Sequence, residues 1–275
     1  MRPLALALIL ASALLHTLWN LLFKRVEQKH IFTFWSLIAG SIIWLPLLAA
    51  SIPARIWPYA LSSALVQSAY FLSLIRAYER SHFSLAYPIA RGIAPAFLAA
   101  WAFVFLGERL SSAGFIGLAV LLAGLVTVSW SDSIDFKATG SALTVGLFIS
   151  IYSVIDGAAV RLMSPAAYTV LSLMLTAVLI APFVLVRYGI RLAIRELKAN
   201  WKSALAVGSM MTLAYILVLK AYSMGKVSYA GALRESSIIF AALAGWLWLK
   251  ESFGLQRTLG ATLALIGIFL ISVAG

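Results

Sequence analysis

From Pro3 to Phe23 the chain runs without a single charged residue, and stretches of this kind recur to the C-terminus. About 20 apolar residues in a row is the length that crosses roughly 30 Å of hydrocarbon as a helix. Hydropathy and charge breaks place such runs at 3–23, 32–52, 57–78, 83–106, 112–130, 138–160, 165–186, 203–222, 227–249 and 255–274. Inside lipid every backbone N–H and C=O must be bonded within the protein, so each run is expected to be a helix. The composition agrees: 63% of residues are hydrophobic and 11% charged, at a mean hydropathy of +1.00. A soluble domain carries about 25% charged residues. The reading is an all-helical, ten-span integral membrane protein with no soluble domain.

The first run has no small-residue cleavage pattern before Lys24 and Arg25, so it reads as a retained span rather than a signal peptide. The chain has no cysteine, which excludes disulfides, thiolate metal sites and cysteine nucleophiles. Its net charge of +12 does not point to nucleic acid, because the cations sit singly or in short groups at the ends of apolar runs. That placement suits phospholipid headgroups. The exception is the connection after the seventh run. Arg187, Arg191, Arg195, Lys198 and Lys202 recur at helical spacing, and Ile190, Ile194, Leu197 and Trp201 recur on another face. This pattern predicts an amphipathic helix over about 187–202 lying in the membrane interface.

The two halves resemble each other. RAYERSHFSLAY at 76–87 aligns with KAYSMGKVSYAG at 220–231, and LGERLSSAGFIG at 106–117 with LKESFGLQRTLG at 249–260. Gly124 then falls opposite Gly267, and His16, Asn20 and Arg25 fall opposite Tyr152, Asp156 and Arg161. The expected division is residues 1–136 and 137–275, with five spans each. An odd number of spans forces the copies into opposite orientations, the arrangement of transporters whose substrate site lies between inverted repeats.

At LHTLWNLLFKR (15–25), AYPIARGIAPAFLAAWAFVFLGERLS (86–111), IYSVIDGAAVR (151–161) and LAGWLWLKE (243–251) the chain resembles the drug/metabolite transporter superfamily, in its ten-span EamA-like branch. The resemblance implies two inverted five-helix repeats around a central cavity. It also implies secondary transport, most often export, of amino acids, other metabolites or drugs; some members move nucleotide sugars or lipid-linked sugars. Pro88 and Pro95 have no proline counterparts in the second half.

Charges inside spans are costly and usually functional. Arg91 lies between Pro88 and Pro95, which loosen the helix around it. It suits either recognition of a substrate carboxylate or phosphate, or an ion pair with Glu235 or Asp156. Arg234 and Glu235 lie at the matching depth of the ninth run. Their side chains diverge by about 100° on a helix, so only one of them can face a cavity squarely. His16 and Asn20 share a helix face, as do Tyr152 and Asp156. Trp19, Tyr70, Tyr87 and Tyr215 suit aromatic cavity walls, or helix packing and an interfacial belt. Glu235, Asp156 and His16 are the candidates for proton coupling.

No zinc-protease, nucleotide-binding or serine-hydrolase motif occurs, and the three histidines are scattered in sequence. No cofactor, metal or catalytic residue is expected. The expected partners are a small-molecule substrate, membrane lipids and protons as a candidate coupling ion, in a monomer or homodimer with no nucleic acid. The expected function is gradient-driven export of a small polar metabolite, such as an amino acid or related zwitterion, across a bacterial inner membrane. A flippase for a lipid-linked headgroup is the runner-up, and a membrane-embedded enzyme comes third. Orientation is contested. A cytoplasmic N-terminus, as usual in the family, leaves six terminal cations inside against thirteen outside, so the positive-inside rule favours external termini.

Overall fold

The computed structural model describes residues 2–24, 26–48, 52–80, 83–129, 136–240 and 255–274; residues 24, 77–80, 83–93, 128–129, 136–139, 141–142 and 257 are described by backbone only. These residues form nine helices, a further helical stretch at 237–240 and no strand. The nine are α1 (Pro3–Lys24), α2 (Lys29–Ile43), α3 (Trp57–Arg80), α4 (Phe83–Leu106), α5 (Ser112–Ser129), α6 (Phe136–Ala159), α7 (Pro165–Tyr222), α8 (Val227–Arg234) and α9 (Leu255–Ala274). Short 3-10 turns at Leu45–Leu47 and Ala54–Ile56 link α2 to α3. Large apolar side chains face outward along the bundle, among them Phe105, Phe115, Val186 and Phe269. In a soluble protein such a surface would aggregate, whereas in lipid it is solvated.

The helix bounds follow the apolar runs closely in α1 and in α3–α6, and α4 stays helical through both Pro88 and Pro95. The second run, expected over 32–52, is α-helix only to Ile43 and then turns at Leu45–Leu47. Three further expectations change. The seventh and eighth runs are joined in one helical stretch, α7, whose sole non-helical residue is Gly189 at φ 75° and ψ 152°. Glycine alone adopts that conformation without strain, so the break falls there. The basic segment is helical as expected. It continues without a break at 202 into the following apolar stretch, however, so it is the first part of a 190–222 helix about 50 Å long. The third change is in the expected ninth run. It stops being a regular helix at Arg234: Glu235 and Ser236 form a turn and helix resumes at Ser237. Residues 241–249, the rest of that run, lie outside the described residues, as do 250–254.

Helix packing relies on small residues, which let backbones approach closely where lipid gives no hydrophobic push. α5 and α9 pair most extensively. A methyl on Gly124 would strike the backbone of Ala264, one on Gly267 the backbone of Leu121, and one on Gly117 Ile271. The order of these contacts makes the two helices antiparallel, with the glycines aligned from the two halves facing each other's helix. α2 and α7 meet in the same way through Gly40 and Gly208. His30 Nδ1 and Tyr188 Oη, 2.9 Å apart, and Trp35 Nε1, donating to Ala193 O at 2.8 Å, fasten the start of α2 to the α7 kink.

The chain enters α1 and returns at the ends of α2, α4 and α6 to one end of the bundle. α1 and α3 finish, and α2 begins, at the other end. The basic helical segment sits at that second end with Ile190, Ile194 and Trp201 exposed beside its cations. Its opposite side is packed, with Ala193 and Ala204 fully buried.

Candidate functional site

α1, α3, α6 and the two arms of α7 surround the centre of the bundle, and α8 reaches it from one end. There His16, Trp19, Gln67, Tyr70, Tyr152, Tyr215 and Arg234 line a cavity of about 40 Å³, with Phe71, Leu173 and Met211. That volume holds a few waters and is far below the ~300 Å³ of a metabolite pocket. A second void of about 10 Å³ continues past Trp19 and Phe71 toward Phe23, Thr33 and Ile75, the end where α1 finishes.

The aromatic walls are interlocked. His16 meets Trp19 edge-on at 4.8 Å between ring centroids, Tyr70 meets Tyr152 at 5.6 Å, and Tyr152 meets Tyr215 at 6.2 Å. The Arg234 guanidinium stands 5.5 Å from the centre of the Tyr215 ring, an attraction strengthened by exclusion of water. Trp19 Nε1 is buried and has no hydrogen-bond partner among the described residues, which leaves a donor beside the cavity.

Asp156 is fully buried one layer behind this wall. Tyr168 Oη donates to its Oδ1 at 2.6 Å, and Tyr215 Oη donates to its Oδ2. Gln67 Nε2 lies 3.5 Å from Oδ2 and is also within 2.9 Å of Ser63 Oγ and 2.8 Å of Ser172 Oγ. A buried carboxyl survives in such a place because donors replace its hydration. Tyr215 and Gln67 touch both the carboxyl and the cavity, so they connect the two.

The break after Arg234 is held from α1. Thr17 Oγ1 donates to Ser237 O at 3.0 Å and shares that proton with Ala13 O at 3.1 Å. Ser12 Oγ donates to Ala214 O at 2.6 Å, tying α1 to the second arm of α7. The turn replaces regular helical bonds by three-residue returns, from Glu235 N to Ala232 O and from Ser236 N to Leu233 O, both 3.1 Å. Interrupted helices of this kind place backbone groups and charges at transporter sites.

The expected site residues therefore fall into four groups. His16, Trp19, Tyr70, Tyr152, Tyr215 and Arg234 line the cavity. Asp156 backs it through Tyr215, and Glu235 is buried at the turn. Asn20 is partly buried and turns its amide back to His16 O at 2.7 Å on its own helix. Tyr87 and Arg91 have side chains outside the described residues. Sequence reasoning missed Gln67, Tyr168, Ser63 and Ser172; a lone glutamine inside the third apolar run was the available signal. Among the described residues no cluster of His, Asp and Glu has the makings of a metal site.

The EamA-like transporter family matches this chain twice, over residues 3–130 and 137–273. The Bacillus subtilis (strain 168) protein called Uncharacterized transporter YwfM is 25% identical over 229 residues, which cover 79% of this chain and 74% of that protein. The crystal structure of another protein superimposes with a TM-score of 0.77 over 99% of this chain and 98% of its own, at 16% identity, so it speaks for the fold alone. With matches across both halves and this all-helical two-repeat architecture, the chain belongs to the EamA-like transporter family and is a multi-pass membrane transporter.

Proposed function

We propose that this chain is a secondary active transporter of a bacterial cytoplasmic membrane, exporting a small polar metabolite such as an amino acid or related zwitterion. Ten spans form two inverted five-helix repeats, and the central cavity lies between them. The antiparallel pairing of α5 with α9 through glycines aligned from the two halves supports the inversion. The observation that carries the reading is the cavity itself: aromatic walls, the Arg234 guanidinium, and a helix interruption beside it.

The chemistry follows from the wall. Arg234, on one side, holds the substrate's carboxylate or phosphate. Arg91, the cation of the fourth apolar run in the first half, is its proposed companion. The aromatic faces of Tyr70, Tyr152 and Trp19 receive the substrate's ammonium or flat portion. Asp156 acts through Tyr215 and Gln67 rather than by direct contact, biasing the cavity toward a cationic group. Either Asp156 or Glu235 carries the coupling proton. At about 40 Å³ the cavity is in a contracted state, so substrate entry requires the surrounding helices to part.

A thermal-shift screen of the purified protein against amino acids, phosphorylated metabolites and organic cations tests this. A ligand at 100 times its Kd stabilises the folded state by about 2.7 kcal/mol. The expected result is stabilisation by a carboxylate-bearing zwitterion, lost in Arg234→Gln while the variant stays folded. Equal stabilisation of Arg234→Gln, or no response to carboxylate ligands, refutes the assignment.

A further inference from the structure

The basic arm that opens the second part of α7 has three different faces, and one unbroken helix joins it to the cavity wall. From Ile190 to Tyr222 every residue is helical, so steps of about 100° per residue hold along its length. Arg191, Arg195, Lys198 and Lys202 are all exposed and fall within about 60° of one another. Beside them Ile190, Ile194, Trp201 and Leu205 make an exposed apolar stripe. The third face is packed: Ala193 O accepts from Trp35 Nε1, and Ala204 is buried beside Phe32 and Trp35 of α2. Glu196 lies off the cationic stripe and accepts from Asn200 Nδ2 at 3.2 Å, so it neutralises none of the four. Lys202 Nζ stands 5.6 Å from the centre of the Trp201 ring, at the border of the two exposed stripes. A row of cations above a row of apolar side chains matches the surface of a leaflet, with anionic headgroups over acyl chains.

This helix is tethered unequally. At its far end Tyr222 is buried, and the helix that follows, α8, is capped by Glu108 of the first half. Glu108 Oε1 accepts from Val227 N at 2.8 Å and Oε2 from Ser228 N at 3.0 Å. At its near end the chain turns at Gly189, where an added Cβ would meet nothing within 4 Å. The His30–Tyr188 hydrogen bond, at 2.9 Å, spans that hinge. The arm is therefore the end that can swing, and α2 swings with it, since Gly40 and Gly208 bring the two backbones together. Met211 and Tyr215, midway along, line the cavity, and Tyr215 donates to Asp156. They point about 150° away from the cationic stripe. An outward pull on the cations draws both side chains back from the cavity.

We propose that the 190–202 arm is a docking site for anionic phospholipid, and that headgroups bound there widen the cavity through the 190–222 helix. The partner is a lipid surface, which offers phosphates to the cations and acyl chains to the apolar stripe together. The inference goes beyond the transporter reading. Its readouts are lipid contact and cavity access, and neither needs a substrate.

The chain has no native cysteine, so single reporters can be placed in it. A bimane on Ile194→Cys, in phosphatidylcholine vesicles containing either brominated phosphatidylglycerol or brominated phosphatidylcholine, reports which lipid lies against the arm. Quenching should favour phosphatidylglycerol by about threefold or more. The preference should fall toward one as salt rises to about 1 M, where charges are screened beyond roughly 3 Å. Arg191→Gln, Arg195→Gln, Lys198→Gln and Lys202→Gln together should abolish it, and these exposed positions leave the packed face intact. Leu173→Cys, in the cavity wall, should react with a small uncharged thiol reagent about threefold faster in phosphatidylglycerol-containing vesicles than in phosphatidylcholine alone. In the fourfold variant it should react equally fast in both. Equal quenching by the two lipids overturns the docking site. Lipid preference with unchanged Leu173→Cys labelling overturns the link to the cavity. Acceleration by soluble glycerol phosphate in phosphatidylcholine vesicles, matching that of the lipid, overturns the lipid as partner. Should the fourfold variant fail to fold, the salt series on the otherwise unaltered chain decides, and a preference indifferent to salt refutes the proposal.

Discussion

Removing the Asp156 carboxyl takes away the acceptor that two largely buried phenols share. Tyr168 is fully buried and Tyr215 is 6% exposed, and both donate to this one side chain. An orphaned buried donor costs about 1–3 kcal/mol. Within membranes, hydrogen bonds between side chains average nearer 0.6 kcal/mol, because the unfolded chain in lipid also finds partners. Relief of the cost of burying the carboxyl opposes the loss. Asp156→Ala is therefore expected to lose about 2 kcal/mol. Asp156→Asn, which keeps one acceptor, should lose about 1 kcal/mol. The assay is equilibrium unfolding of the purified protein in mixed detergent micelles with rising SDS. Tyr168→Phe in the wild-type and Asp156→Ala backgrounds completes a double-mutant cycle, and a coupling of at least about 0.5 kcal/mol is expected. Gln67 keeps Ser63 and Ser172 in every variant, so it should add little. Zero coupling, or an Asp156→Ala protein as stable as wild type, would refute the view that the carboxyl organises this layer.

Other consequences are more quickly stated. Gly124→Val should cost about 1–3 kcal/mol through overpacking against α9, whereas Gly140→Ala, with open space around it, should be neutral by the same unfolding assay. A harmless Gly124→Val means that α5 and α9 do not pack as described. If Glu235 carries the coupling proton, Glu235→Gln should abolish accumulation driven by a pH gradient but retain substrate exchange in vesicles, and unchanged accumulation passes the role to Asp156. The exposed basic arm at 190–202 is expected on the cytoplasmic side, since long basic connections resist translocation. Lys198→Cys should then be protected from an impermeant thiol reagent in intact cells and Arg55→Cys should react; the reverse pattern restores cytoplasmic termini.

Helix positions were legible because a lipid-spanning segment must be apolar along its length, and that requirement writes itself into consecutive residues. α4 ends just before the charges at Glu108 and Arg109, and the pairing of Gly124 with α9 was foreshadowed by its alignment with Gly267. Period and hydropathy cannot reveal where a helix pauses in the middle of an apolar run. The turn at Glu235 depends on Thr17 of α1 taking up a carbonyl more than two hundred residues away, and nothing in the ninth run announces it. Nor was the break at Gly189 separable from the ordinary glycines of the chain until its φ was known.

The same division runs through the site. Intramembrane polar residues are scarce, so His16, Tyr152, Asp156 and Arg234 stood out from the sequence, and the aligned halves set His16 opposite Tyr152 and Asn20 opposite Asp156. Which of them face a common space was a matter of helix rotation, set by packing and not by spacing. Asp156 reads as a binding group in the sequence, yet Tyr168 and Tyr215 stand around it. Glu108 reads as the mark of a family and serves as a clamp between the halves, because the capped helix comes from residues more than a hundred positions later. The sequence determined that the chain crosses a membrane as helices in two related halves, since lipid imposes that residue by residue. The cavity, its layer of tyrosines and the Glu108 cap on α8 are contacts between distant segments, and only the tertiary structure decided them.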